Sequence, residues 1–190
     1  MSRRLAAYIG LVAAAAVAGW TVYAIARRSN GGDAEPGVAA PAATTASSPT
    51  RKIKARLFYV NDEGVRLTGV ERDIAYAATP ADQAREIVTA QIAPVAAPLV
   101  SAVPGGTQLR ALFITDKGEA FVDLSREVVT AHPGGSINEL LTVYALVNAL
   151  TANLPAVTTV QLLVDGRELD TLAGHVDLRR PLVKNLSWVE

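Results

Sequence analysis

The most apolar stretch of the chain comes first. Residues 5–26 are 22 consecutive residues without a charge. As a helix rising about 1.5 Å per residue they would span about 33 Å, enough to cross a hydrocarbon core. Arg3 and Arg4 precede the run and Arg27 and Arg28 follow it. Tyr8, Trp20 and Tyr23 stand near its ends, where interfacial aromatics belong. The pattern predicts an N-terminal transmembrane anchor over residues 1–28. A cleaved signal peptide is the competing reading, with Ala16-Val17-Ala18 as its small-residue site. The run continues to Ala26 and stops at a double arginine, which favours an uncleaved anchor. Two arginines lie on each side, so the short N-terminal tail decides the orientation. The expectation is a single-pass protein of the cytoplasmic membrane, N-in, with its C-terminal domain outside the cytoplasm.

Residues 29–50 have no aromatic and one aliphatic side chain larger than alanine, Val38. Such an Ala/Pro/Ser/Thr/Gly stretch cannot bury enough apolar surface to offset its ordering entropy. It reads as a flexible linker, with a folded domain over 51–190.

The polarity pattern then becomes regular. Ile53, Ala55, Leu57 and Tyr59 alternate with Lys52, Lys54, Arg56 and Phe58, the period of a strand with one apolar face. Asn61-Asp62-Glu63-Gly64 is a turn, and a second strand is expected around residues 70–76. Thr79-Pro80-Ala81-Asp82 opens a helix, with Thr79 as cap, Pro80 in the first turn and Asp82 at the positive end of the dipole. Ala84, Ile87, Val88, Gln91 and Ile92 keep helical spacing until Pro94 ends it. Residues 109–115 read as a strand buried on both faces. Asp116-Lys117-Gly118 is a hairpin loop, and Ala120, Val122 and Leu124 return. Residues 125–133 read as a loop.

Ser136-Ile137-Asn138-Glu139 has the form of a capping box that starts the longest helix. Its apolar face is expected to be Ile137, Leu140, Leu141, Tyr144, Val147 and Leu150. Residues 157–164 form a β-branched strand, Asp165-Gly166 a tight turn, and residues 167–172 a returning strand. The tail from 174 reads as irregular. The fold class is therefore α+β: a small mixed β-sheet with two main helices packed on one face, preceded by one transmembrane helix.

Composition narrows the chemistry. The chain has 18 basic and 18 acidic side chains and no cysteine. Zero net charge argues against a polybasic nucleic-acid binder, so no nucleic-acid partner is expected. The missing cysteines exclude disulfides, iron–sulfur clusters, thiolate zinc sites and cysteine nucleophiles. His132 and His175 are the only imidazoles, both beside glycine or proline, with Asp123, Asp165 and Asp177 available as acidic partners. No HExxH or GxSxG motif accompanies them. They read as loop hydrogen-bonding residues.

Residues 132–136 precede a helix, where free amides can hold an anion, but the capping box would occupy two of those donors. Arg51, Lys52, Lys54 and Arg56 read as a solvated strand face. Asn148, within the apolar helix face, reads as a residue that pins a loop backbone. No catalytic, cofactor-binding or metal-ligating residue is assigned, and no cofactor is expected.

A set of short motifs in fixed order resembles a known family. Pro104-Gly105-Gly106-Thr107-Gln108-Leu109 is followed by Val122-Asp123-Leu124-Ser125. Gly135-Ser136 with Glu139 comes next, then Val147-Asn148-Ala149-Leu150-Thr151 and Val160-Gln161-Leu162-Leu163-Val164-Asp165-Gly166. Leu172-Ala173-Gly174-His175-Val176-Asp177-Leu178 and Pro181-Leu182 close the set. With the opening Arg56-Leu57-Phe58-Tyr59 and Arg72, these resemble the GerMN domain of sporulation and spore-germination GerM-type proteins. The resemblance covers residues 53–182. Two features depart from it: Ala93-Pro94 stands where the family has Gly-Pro, and no lipidated cysteine or second copy is present.

The resemblance implies an extracytoplasmic, membrane-tethered module similar in fold to ring-building modules of envelope complexes. It also implies a role in assembling protein complexes, with other envelope proteins or further copies as partners, and no catalysis. A peptidoglycan- or envelope-polymer-binding module is the alternative, and an envelope hydrolase the second alternative. The domain has few aromatics for sugar stacking, which argues against the first of these.

Overall fold

The computed structural model describes residues 51–190, so the predicted anchor and linker lie outside the described residues. Among the described residues no helix is long and apolar enough to cross a membrane. β1 (Lys52–Val60) and β2 (Leu67–Ala75) pair antiparallel in unbroken register, from Lys52 opposite Ala75 to Val60 opposite Leu67. The expected alternation holds for Ala55, Leu57 and Tyr59, which are buried. It fails at Phe58, which is fully buried on the lysine face together with Leu67.

α1 (Pro80–Ile92) starts as its sequence predicts. Thr79 accepts the Asp82 N–H at 3.1 Å, and its hydroxyl donates to the Asp82 carboxylate at 2.7 Å. The helix stops ahead of Pro94. β3 (Leu109–Ile114) and β4 (Glu119–Leu124) form the predicted hairpin. Gly118 in its turn has φ +81°, and a Cβ there would lie 2.7 Å from the Ala156 carbonyl oxygen, so only glycine fits. The expected loop 125–133 contains one helical turn, α2 (Glu127–Thr130), which buries Val128.

α3 (Ser136–Asn153) is the central helix. It buries residues on nearly every side, including Leu141, Val143, Leu146, Val147 and Leu150, while Ile137 is 36% exposed. Burial all round marks a helix covered on all sides rather than one resting on a single sheet. It packs on β1 and β5, and α1 packs on β1, β2, β3 and α3.

β5 (Thr159–Val164) lies parallel to β4 through the α2–α3 crossover. Asp165 and Gly166 both have positive φ, the conformation of a two-residue hairpin turn. The returning strand β6 is only Arg167–Glu168. The tail is less irregular than expected. β7 (Leu182–Val183) pairs antiparallel with the start of β5, and a 3-10 turn covers Leu186–Trp188.

Three expectations need correction. The strands form two sheets, not one: the β1–β2 hairpin and a mixed five-stranded sheet ordered β3-β4-β5-β6, with β7 also on β5. The helices contact both sheets. β3 is not buried on both faces: Phe113, on the face away from the core, is 62% exposed while Leu112 is fully buried. The capping box is not formed: the cap of α3 is Gly135, Ser136 makes no capping bond, and Glu139 is turned away from the helix start.

Candidate functional site

Glu139 is the one carboxylate among the described residues with no exposed side-chain surface. It leaves the first turn of α3 to hold the loop before β7. Its carboxylate accepts the backbone N–H groups of Leu172 at 2.8 Å, Ala173 at 2.9 Å and His175 at 2.7 Å. Burial pushes this carboxyl up, but the N–H donors of residues 173, 175, 172 and 176 outweigh that and hold it below the ordinary glutamate range. The His175 ring nitrogen Nδ1 lies 3.2 Å from the same carboxylate, with the ring half exposed. His132 is elsewhere. Its Nδ1 accepts the Gly134 N–H at 2.9 Å and its Nε2 is 3.3 Å from the Thr142 hydroxyl.

His132 thus closes its own loop, as the sequence suggested, whereas His175 ties its loop to Glu139 on α3. Neither meets the aspartates that were available to it. Arg110 bridges Asp123 at 3.4 Å and Asp165 at 3.2 Å, and Asp123 also accepts the Gly166 N–H at 2.8 Å, locking the β5–β6 turn. Arg179 binds Asp177 through two nitrogens at 2.9 and 2.8 Å, which holds that carboxyl well below the usual carboxylate range. Among the described residues no three histidines or carboxylates gather in a way that could hold a metal ion.

Side-chain amides do much of the structural polar work. Asn148, fully buried, donates to the Asn185 carbonyl at 2.8 Å and accepts the Asn185 N–H at 3.0 Å, so it pins the tail as its position suggested. Two further amides were not anticipated. Gln91 accepts the Phe58 N–H at 2.9 Å and donates to its carbonyl at 2.7 Å. Asn153 does the same for Arg56, both at 2.8 Å. Together they close the edge of β1 that faces the helices, standing in for a third strand. A glutamine in the buried stripe of a helix was the available signal for the first of them.

A groove at the β3–β4 turn carries Asp116 and Lys117, and another beside the β1–β2 turn carries Asp62, Glu63 and Glu190. A cleft of ≈ 640 Å³ lies between the end of α1, the 100–108 loop and the start of α3, lined by Val60, Ile92, Val103 and Leu141 among others. None of its lining residues is titratable. Thr142 enters it, but its hydroxyl is already 2.6 Å from the Ala102 carbonyl.

The exposed surfaces are more distinctive. Leu112, Val122, Leu124, Val160 and Leu162 bury one face of the five-stranded sheet. The other face carries Phe113 at 62% and Val183 at 61% exposure, with Phe121 and Thr159 half-buried between them and half-buried Leu163 beyond Gln161. Gln161 in the same row is covered, donating to the Leu178 carbonyl at 2.7 Å. On the hairpin, Lys52, Lys54 and Arg56 project to solvent from β1. Arg51 stacks on Tyr76 at 4.1 Å, and Lys54 is 3.6 Å from Asp73.

Several known proteins share this architecture. One is a candidate lipoprotein from Clostridium perfringens, with 21% identity and a TM-score of 0.51 over 74% of this chain and 93% of that one. Another is the first GerMN domain of the sporulation protein GerM from Bacillus subtilis, with 15% identity and a TM-score of 0.54 over 70% of this chain and 98% of that one. The tandem GerMN domains of the same GerM match with 17% identity and a TM-score of 0.55, over 70% of this chain and 46% of that one. At these identities the likeness concerns the fold. No curated protein matches the chain. The family model described as "Germane: Sporulation and spore germination" matches residues 56–170, more than half of the sequence, and the chain belongs to that family.

Proposed function

We propose that this protein is a membrane-anchored, extracytoplasmic module of the bacterial cell envelope that promotes protein–protein assembly and has no catalytic activity of its own. The observation that carries the reading is the outer face of the five-stranded sheet. Phe113 and Val183 stand largely in solvent there, on a face that a partner's apolar surface would cover. The family's association with sporulation and spore germination, and the likeness in fold to GerM and to a candidate lipoprotein, support an envelope setting. The anchor predicted over residues 1–28 gives the physical means of tethering.

The experiment is site-directed photocrosslinking in the native membrane, with the photoreactive residue at Phe113 or Val183. Crosslinks to specific envelope proteins that vanish in a Phe121→Ser background, with the fold intact by circular dichroism, would support the reading. Wild-type function with both Phe113→Ser and Val183→Ser in place would refute it.

A further inference from the structure

We propose that the outer edge of β2 is a strand-addition site for an extended, lysine- or arginine-bearing segment of a partner protein. This inference rests on the assembly reading above and names the chemistry of one partner.

The hairpin register shows why this edge is open. In an antiparallel pair, opposite residues point their backbone groups the same way, both inward or both outward. Arg56, Phe58 and Val60 point theirs away from β2, toward Asn153, Gln91 and the Val100 carbonyl. Their partners Glu71, Gly69 and Leu67 must therefore point away from β1, and so must Asp73 opposite Lys54. The two ends of this outer row are already used. The Leu67 carbonyl accepts the Glu190 N–H at 3.0 Å, where Val189 bridges Leu67 in parallel. The Ala75 carbonyl accepts from Gln83 at 3.0 Å. Between them, the N–H and C=O groups of Gly69, Glu71 and Asp73 have no backbone partner among the described residues. Val189–Glu190 shows that backbone can pair on this edge, and a partner strand would continue where that bridge leaves off.

Charge selects the partner. Glu71 and Asp73 are exposed and flank the open row on one face. Arg56 stands opposite Glu71, yet its guanidinium lies over the Phe58 ring at 5.5 Å and across Gly69, where the lack of a side chain makes room. Glu71 consequently has no ion pair among the described residues. A basic side chain on the added strand, opposite Glu71, would complete a cross-strand pair, and a second one two residues away would share Asp73 with Lys54. A second copy of β2 fits poorly. The one antiparallel register that uses all three open positions sets Glu71 against Glu71, a like-charge pair.

The test uses the full chain and two short synthetic peptides, one alternating lysine with valine and one alternating glutamate with valine. Binding is read by fluorescence anisotropy and by hydrogen exchange of individual amides. The expected result is binding of the lysine peptide in preference to the glutamate peptide, with slowed exchange at Gly69, Glu71 and Asp73. Glu71→Lys should weaken the lysine peptide by about tenfold. Asp73→Lys serves as a second variant should the first disturb the fold. Equal binding of both peptides, protection elsewhere on the domain, or no binding up to the peptides' solubility limit would overturn the inference. The assembly reading is judged separately by the Phe113 crosslinks. If those persist while the β2 edge stays silent to both peptides, this inference fails and that reading stands.

Discussion

Replacing Glu139 with glutamine should unfold the domain at markedly lower denaturant, even though the change keeps the side chain's shape. The carboxylate accepts three backbone N–H groups at 2.7 to 2.9 Å from the 172–175 loop, and the residue has no exposed surface. One carboxylate oxygen serves Leu172 and Ala173, and the other serves His175. Glutamine retains one acceptor oxygen but places an NH2 group against whichever N–H the other oxygen held. Hydrogen bonds to a charged group contribute about 1.5–3 kcal/mol each, and an orphaned buried donor costs about 1–3 kcal/mol. The expected loss for Glu139→Gln is therefore about 3 kcal/mol, and for Glu139→Ala about 4 kcal/mol. Against a typical total of roughly 5–15 kcal/mol this is a large share.

The sign with pH follows from the carboxyl's lowered pKa. Its contribution is present above the unfolded glutamate value of about 4.3 and is lost as pH falls through the folded value. The gap between wild type and Glu139→Gln should accordingly be full at neutral pH and close in acid. Urea titrations at neutral and acidic pH, with Ser136→Ala as comparison, make the assay. Because Ser136 makes no capping bond, its alanine variant should stay within about 0.5 kcal/mol of wild type. A Glu139→Gln variant as stable as wild type, or a Ser136→Ala loss larger than the Glu139→Gln loss, would contradict this role for Glu139.

Three further outcomes are expected. Gly118→Ala should lower stability by about 2 kcal/mol or more, since it forces φ +81° on alanine and sets a methyl against the Ala156 carbonyl; a thermal melt reads this directly. Asn148→Leu should cost about 2 kcal/mol and free the tail around Asn185, seen as faster amide exchange there than in α1, because both backbone groups of Asn185 lose their partner. Protein lacking residues 1–50 should be soluble and folded, while full-length protein should stay with membranes through a high-salt wash; release by salt alone would remove the anchor from the account.

The features legible in the sequence are those set by neighbours a few residues away. Thr79-Pro80 with Asp82 starts α1 because cap, proline and acid act within one turn. Asp165-Gly166 turns the chain because both residues tolerate positive φ. Asn148 could be read as a loop clasp because an amide in an apolar stripe needs buried partners. The misreadings arise where a distant contact captures a local signal. Ser136 and Glu139 have the spacing of a capping box, yet the loop at 172–175, more than 30 residues on, offers Glu139 three donors instead of one.

The run Leu109–Ile114 is apolar enough for a strand covered on both sides. Which side is covered depends on where the helices pack against the sheet, and periodicity does not carry that. The separation into two sheets had the weakest signal of all. It depends on Gln91 and Asn153 closing β1 with side chains, and a single amide per helix does not stand out as a substitute for a strand.

The role proposed above, contact with a partner and no chemistry, can be tested in the cell. Its most direct test compares two sets of variants in the producing cell, scoring both the cellular phenotype and the crosslinks formed from Val183. One set changes His132 and His175 together to alanine, and the other changes Phe113 and Phe121 to serine, each first shown to be folded. The histidine pair should leave phenotype and crosslinks intact, while the phenylalanine pair should lose both. Loss of the phenotype with the histidine pair, crosslinks persisting, would contradict that role.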